Sequence, residues 1–148
     1  MTEPILLDEQ LCFEVYQAHK AFNHFYAQAL APFHLTYAQY IVLLVLFQEE
    51  KISVKELGQH VGLDSGTLTP LLKRLEKDGW IKRERSQADE RRLEIGLTTM
   101  AQRKKESIFE HVRGCVSVLE LPEESYRRMM TDVAFLTNQI DHATEKLS

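Results

Sequence analysis

Glycine and proline are scarce in this 148-residue sequence, with six and four copies. So few turn-formers argue against the many tight connections of a β-sandwich and favour long helices. Cysteine is scarcer still. Two copies cannot build a disulfide framework, and a cytosolic disulfide is more often a redox device than a staple. Long apolar runs are missing: the longest uncharged one, Tyr40 to Phe47, falls far short of the roughly 20 residues a membrane span needs. The opening Met-Thr-Glu-Pro-Ile-Leu-Leu-Asp-Glu is acidic and lacks a positive region ahead of an apolar core. No secretory signal is expected, and the chain reads as cytoplasmic with no membrane partner. Net positive charge is lacking too, and a total of −4 argues against a nucleic-acid binder unless the cations are gathered in one place. What is present, 44% hydrophobic and 27% charged residues, suits one globular domain's worth of chain.

The cations are gathered. Between Lys73 and Arg92 stand Lys73, Arg74, Lys77, Lys82, Arg83, Arg85, Arg91 and Arg92, against Glu76, Asp78, Glu84, Asp89 and Glu90. That window carries +3 in a chain of −4, so the remainder carries −7. A basic window in an acidic chain is the footprint of a polyanion partner. A solvated helix face followed by a charged turn gives the same count.

Periodicity predicts six helices and one hairpin. Leu7, Leu11, Val15, Ala18, Phe22, Phe25 and Ala29 form one apolar stripe over a helix from Leu6 to about Leu30, ended by Pro32. Thr36 and Gln39 form a capping-box pattern opening a second helix to about Glu49, apolar nearly all round and therefore central. Ser53 and Glu56 repeat that pattern for a short helix to about Val61, stopped by Gly62. Asp64 or Ser65 caps the next, through about Asp78, with Leu68, Leu71, Leu72 and Leu75 inward and Gly79 just past its end. Pro70 predicts a local distortion near its start. Trp80 to Arg85 and Arg92 to Leu97 read as strands flanking a polar six-residue tip. Thr98 caps a fifth helix to about Val118, and Pro122 opens a sixth to about Glu145.

Two helices joined by three residues containing Gly62 have helix-turn-helix spacing. The second offers Ser65, Thr67, Thr69, Lys73 and Arg74 away from its leucines, which suits a major groove: small hydroxyls near bases and phosphates, long cations reaching backbone or guanine edges. Arg91 and Arg92 at the tip and Arg85 at the hairpin base could lie across a minor groove. A helix-turn-helix followed by a basic hairpin is a winged helix. The fold class is therefore mainly α with a small β-hairpin wing, and the partner double-stranded DNA. The first and last helices have apolar stripes outside this core, Leu119, Val133, Leu136 and Ile140 in the latter region, and burying them calls for a homodimer.

Asp64-Ser-Gly-Thr-Leu-Thr-Pro-Leu-Leu-Lys-Arg-Leu-Glu76, Asp89-Glu-Arg91 and Leu97-Thr98 resemble the MarR family of winged-helix repressors. Leu11-Cys12-Phe13, Tyr16, Tyr26 and Thr36-Tyr-Ala-Gln-Tyr40 are similar to its organic-hydroperoxide-sensing, OhrR-like branch. The resemblance implies an intertwined homodimer on a pseudo-palindromic operator. It divides the chain into a dimerisation helix with the sensing cysteine (1–35), a winged helix-turn-helix (36–98) and dimerisation helices (99–148). It implies that Asp89 pairs with Arg91 to organise the wing. It also implies that Cys12 senses the oxidant while Tyr16 and Tyr26 donate hydrogen bonds to its sulfur, one of them across the dimer. The separation of Cys115 from Cys12 resembles the two-cysteine type, in which the second thiol of the partner subunit resolves a sulfenic acid into a disulfide.

Read from the residues alone, Cys12 is a buried core thiol about five residues into its helix, and Cys115 a spectator at a helix end. Tyr16, at i+4 from Cys12, shares its face. A repressor released by a small aromatic ligand is the alternative function, with Phe22, Phe25, Phe33, Tyr37 and Tyr40 as lining; at helical spacing such rings are more often core. No peroxidase-like arrangement surrounds either cysteine, so no enzyme and no cofactor are expected. His19, His24, His34, His60, His111 and His142 show no ligand spacing for zinc.

Overall fold

The computed structural model describes residues 6–148. Residues 1–5, which hold most of the acidic opening segment, lie outside them. Six helices and a small three-stranded sheet run in the order α1 (Leu11–Leu30), α2 (Tyr37–Gln48), β1 (Ile52–Ser53), α3 (Val54–Val61), α4 (Ser65–Lys77), β2 (Ile81–Arg85), β3 (Leu93–Leu97), α5 (Thr99–Ser117) and α6 (Glu123–Leu147). This is the winged-helix class expected.

Local chemistry accounts for most boundaries. At α2 the capping box is complete: Thr36 Oγ1 accepts from the Gln39 N–H at 3.2 Å, and Gln39 Oε1 accepts from the Thr36 N–H at 2.9 Å. α2 buries Val42, Leu43 and Leu46 almost completely and forms the centre. Gly62 ends α3 with φ +70°, and Gly79 follows α4 with φ +84°, conformations that suit glycine. Thr98 caps α5 by accepting from the Ala101 N–H, while its hydroxyl donates to the Gly79 carbonyl at 2.6 Å.

Three expectations are corrected. α1 does not begin at Leu6: Leu7–Glu9 form a separate 3-10 turn, and Gln10 at φ −93°, ψ 122° breaks the helix. The apolar stripe carries on through that break, so periodicity did not register it. Ser53 Oγ accepts from the Glu56 N–H at 3.1 Å, but the reciprocal half of that box is replaced by an ion pair between Glu56 and Arg92. α4 runs on through Pro70, from Ser65 to Lys77. The carbonyl the proline leaves without a donor is that of Gly66, an exposed residue whose oxygen water can reach. Finally, the hairpin gains a third strand, with β1 pairing antiparallel to β3 in the order β1-β3-β2.

By internal packing the chain falls into two units, Met1–Val112 and Arg113–Ser148. In the first, Leu57, Leu68, Leu72 and Leu75 of the two short helices meet Ile81 and Ile95 of the sheet, all at most 1% exposed. Gly58 lets the helix-turn-helix close: a Cβ there would stand 2.8 Å from the Leu63 carbonyl oxygen. In the second, the 25-residue α6 buries no residue, and Met129, Val133, Leu136 and Ile140 mark one apolar stripe along it. No single described helix is long and apolar enough to cross a membrane.

Candidate nucleic-acid interface and thiol site

α4 is anchored at its start by Asp64, whose Oδ1 accepts from the Thr67 N–H at 2.8 Å. That hydrogen bond holds the Asp64 carboxyl below the usual carboxylate range. With Leu68, Leu72 and Leu75 turned inward, the helix exposes Ser65, Thr67, Thr69, Lys73 and Arg74 together, as expected. Lys77, one turn after Lys73, extends this exposed face by a cation. A groove lined by Val54, Lys55, Gly58, Gln59, Leu63 and Ser65 runs alongside, between α3 and the start of α4.

The wing pairs β2 with β3 from Ile81↔Leu97 to Arg85↔Leu93. Its tip is held by hydrogen bonds between side chains and the main chain. The nearly buried Ser86 hydroxyl accepts from the N–H groups of Ala88 (3.2 Å) and Asp89 (3.4 Å). Asp89 Oδ1 accepts from the Arg91 N–H at 3.0 Å, so the aspartate organises the tip through the Arg91 backbone. Arg85 donates to the Glu90 carbonyl at 3.2 Å. Arg91 stays exposed.

Two glutamates tie this wing to the helices, and sequence reading missed both. Glu76 of α4 accepts two hydrogen bonds from Arg83 of β2, Nε to Oε2 at 3.1 Å and Nη2 to Oε1 at 2.9 Å. This bidentate fork lowers the Glu76 carboxyl and raises the Arg83 guanidinium. Glu56 of α3 pairs with Arg92. Lys82 and Lys51 share Glu84 at 3.6 and 3.8 Å. Three of the window's eight cations are thus paired with carboxylates. Lys73, Arg74, Lys77, Arg85 and Arg91 have no such partner among the described residues.

Cys12 is exposed, so the core-thiol reading fails. Because α1 begins at Leu11, the cysteine is its second residue and lies in the first turn, where unpaired N–H groups gather. Tyr16, one turn on, is 59% exposed, and Lys20 stands over its ring at 5.5 Å. Tyr26 lies fourteen residues from Cys12, about 21 Å along a straight helix, so the two do not meet within one chain. Its ring stacks on Tyr37 at 4.4 Å and 3°, beside Tyr40, Phe25 and Phe22. Burial and the neighbouring Tyr37 raise the Tyr40 hydroxyl. Phe33 packs edge-on against His111. The aromatic residues expected to line a ligand crevice are thus packed on other rings. Cys115 is half-buried near the end of α5. No group of three or more potential metal ligands occurs among the described residues.

The profile of the family described as transcriptional regulator SarA/Rot matches residues 24–108, more than half of the chain. The chain belongs to this family. SarA/Rot proteins are MarR-like winged-helix transcriptional regulators, a non-enzymatic family, which agrees with the expected fold. Among relatives of this SarA/Rot member, TtmR of Methylorubrum extorquens (strain PA1) is 44% identical over 140 residues, spanning 93% of this chain and 71% of that protein. SarZ of Staphylococcus epidermidis (strain RP62A) is 37% identical over 95% of each. Reduced AbfR bound to DNA superposes with a TM-score of 0.81 at 41% identity, covering 93% of this chain and 94% of AbfR. Disulfide-formed AbfR gives 0.66 at 40% identity, over 88% and 92%. AbfR has been solved from Staphylococcus epidermidis.

Proposed function

We propose that this regulator is a redox-responsive repressor that holds a pseudo-palindromic duplex operator as a homodimer and releases it when Cys12 is oxidised. The observation that carries the reading is an exposed thiol in the first turn of α1, one turn from Tyr16, on a helix whose apolar face is uncovered. Leu11, Val15 and Phe22 of α1 are all more than 40% exposed in the single chain, and α6 buries nothing. Such faces at both ends call for a second copy. Residues 36–98 read DNA in this account, and the flanking helices form the dimer.

On the duplex, α4 enters the major groove with Ser65, Thr67, Thr69, Lys73 and Arg74, and the wing brings Arg91 to the neighbouring groove. Tyr26 of the partner subunit joins Tyr16 at the Cys12 sulfur. A hydroperoxide, the signal, gives its terminal oxygen to the Cys12 thiolate. The O–O bond breaks, the sulfur loses two electrons and becomes a sulfenic acid, and the alkoxide takes a proton and leaves as alcohol. Cys115 of the partner subunit then attacks that sulfur. A disulfide forms, and hydroxide leaves and is protonated to water. The cross-link displaces the terminal helices and with them the spacing of the two winged helices.

AbfR supports placing release at the cross-link: both its reduced and its overoxidised forms are described as bound to DNA. Non-reducing electrophoresis after one equivalent of organic hydroperoxide tests the chemistry. A cross-linked dimer should appear in the parent protein and be absent from Cys115→Ser; a chain that stays monomeric on the gel sinks the resolving role. Sedimentation of the untreated protein should give a dimer.

A further inference from the structure

The wing's four arginines, Arg83, Arg85, Arg91 and Arg92, are employed differently. Resting on the reading of the winged helix as a duplex reader, we propose that Arg92 and Glu56 are positioning residues. Their ion pair fixes the wing against α3 and leaves Arg91 as the wing's reach toward DNA.

Glu56 is the third residue of α3, where a capping box would fold its carboxylate back onto the Ser53 N–H. It turns instead to the Arg92 guanidinium, 36 residues further along the chain. Arg92 is well placed to transmit that hold. Its N–H donates to the Asp89 carbonyl, and its carbonyl accepts from the Ser86 N–H, each at 2.9 Å. A restraint on this side chain is therefore a restraint on the whole tip. The other strand has its counterpart in the Arg83–Glu76 fork to α4. β2 is thus tied by Arg83 to Glu76 of α4, and the tip, by Arg92 just before β3, to Glu56 of α3. Arg91 lies between these anchors with its backbone N–H on Asp89 and its side chain exposed. An arginine committed to Glu56 also adds no net charge to the binding face.

The charge argument fixes the sign of the test. Operator affinity of the full chain is measured against salt concentration for the parent, Arg91→Ala, Arg92→Ala, Glu56→Gln, the combined Glu56→Gln with Arg92→Ala, the singles Glu56→Arg and Arg92→Glu, and their swapped pair, with melting curves as a folding control. Glu56→Gln and Arg92→Ala should each weaken binding about two- to fivefold, the range of an exposed ion pair. Neither should change the salt slope, and the two combined should be no worse than either alone. The swapped pair should recover affinity relative to Glu56→Arg or Arg92→Glu alone. Arg91→Ala should flatten the slope by about two for a dimer. Affinity that is unchanged or tighter in Glu56→Gln, or a flatter slope in Arg92→Ala, overturns the assignment and makes Arg92 a DNA contact restrained by Glu56. A parent protein that binds no duplex at all overturns instead the reading on which the assignment rests.

Discussion

The ion pairs around the wing set a limit on how steeply operator binding can depend on salt. Eight cations lie between Lys73 and Arg92, but Lys82, Arg83 and Arg92 are matched by Glu84, Glu76 and Glu56. Five remain per subunit: Lys73, Arg74, Lys77, Arg85 and Arg91. If each of the ten in a dimer meets one phosphate, the slope of log affinity against log salt is about −9, and with all sixteen cations about −14. Raising salt from about 50 to 200 mM should therefore weaken binding by no more than about 10⁵-fold. Fluorescence anisotropy of a labelled operator across that range measures the slope directly. A value near −14 would refute the reasoning, because it requires the paired arginines and lysine to abandon their glutamates for DNA.

Gly58→Ala should destabilise the helix-turn-helix and lower the thermal midpoint, because the new methyl meets the Leu63 carbonyl, a backbone atom that cannot swing aside; an unchanged midpoint contradicts the close approach. Thr36→Ala removes one side of the α2 capping box and should cost about 1 kcal/mol in urea unfolding, against no loss if the cap is incidental. Arg83 holds the Glu76 carboxyl below its ordinary range. The stability this pair adds is complete above that ordinary range and is lost as pH falls through the folded-state value. The advantage of the parent over Glu76→Gln in urea midpoint should thus be present at neutral pH and shrink in acid; an advantage that survives at the acid end argues against the pair as its source.

Signals confined to a few neighbouring residues were the legible ones. Thr36 with Gln39, Gly62, Gly79 and Thr98 place helix ends through bonds or backbone conformations spanning about one turn. The leucine stripe of α4 identified its inward face, and with it the exposed Ser65, Thr67, Thr69, Lys73 and Arg74. Illegible were features that depend on distant segments. β1 is two residues long and exists because β3 lies beside it. Glu56 looked like half of a local box, yet its partner is 36 residues away. The basic window reads as one footprint, whereas three of its cations stand against carboxylates, two of them on α3 and α4. The start of α1 was misplaced because Leu7 and Leu11 continue one stripe across a break at Gln10 that hydrophobicity does not record. That misplacement mattered chemically, since it moved Cys12 into the first turn of its helix.

The reading of Cys12 as the sensor is tested most directly by a gel shift on the promoter of the protein's own gene, with stoichiometric organic hydroperoxide added to the parent and to Cys12→Ser. The account predicts that the parent dissociates, that reductant restores its complex, and that the serine variant remains bound throughout. Release of Cys12→Ser by the same dose of peroxide would contradict it.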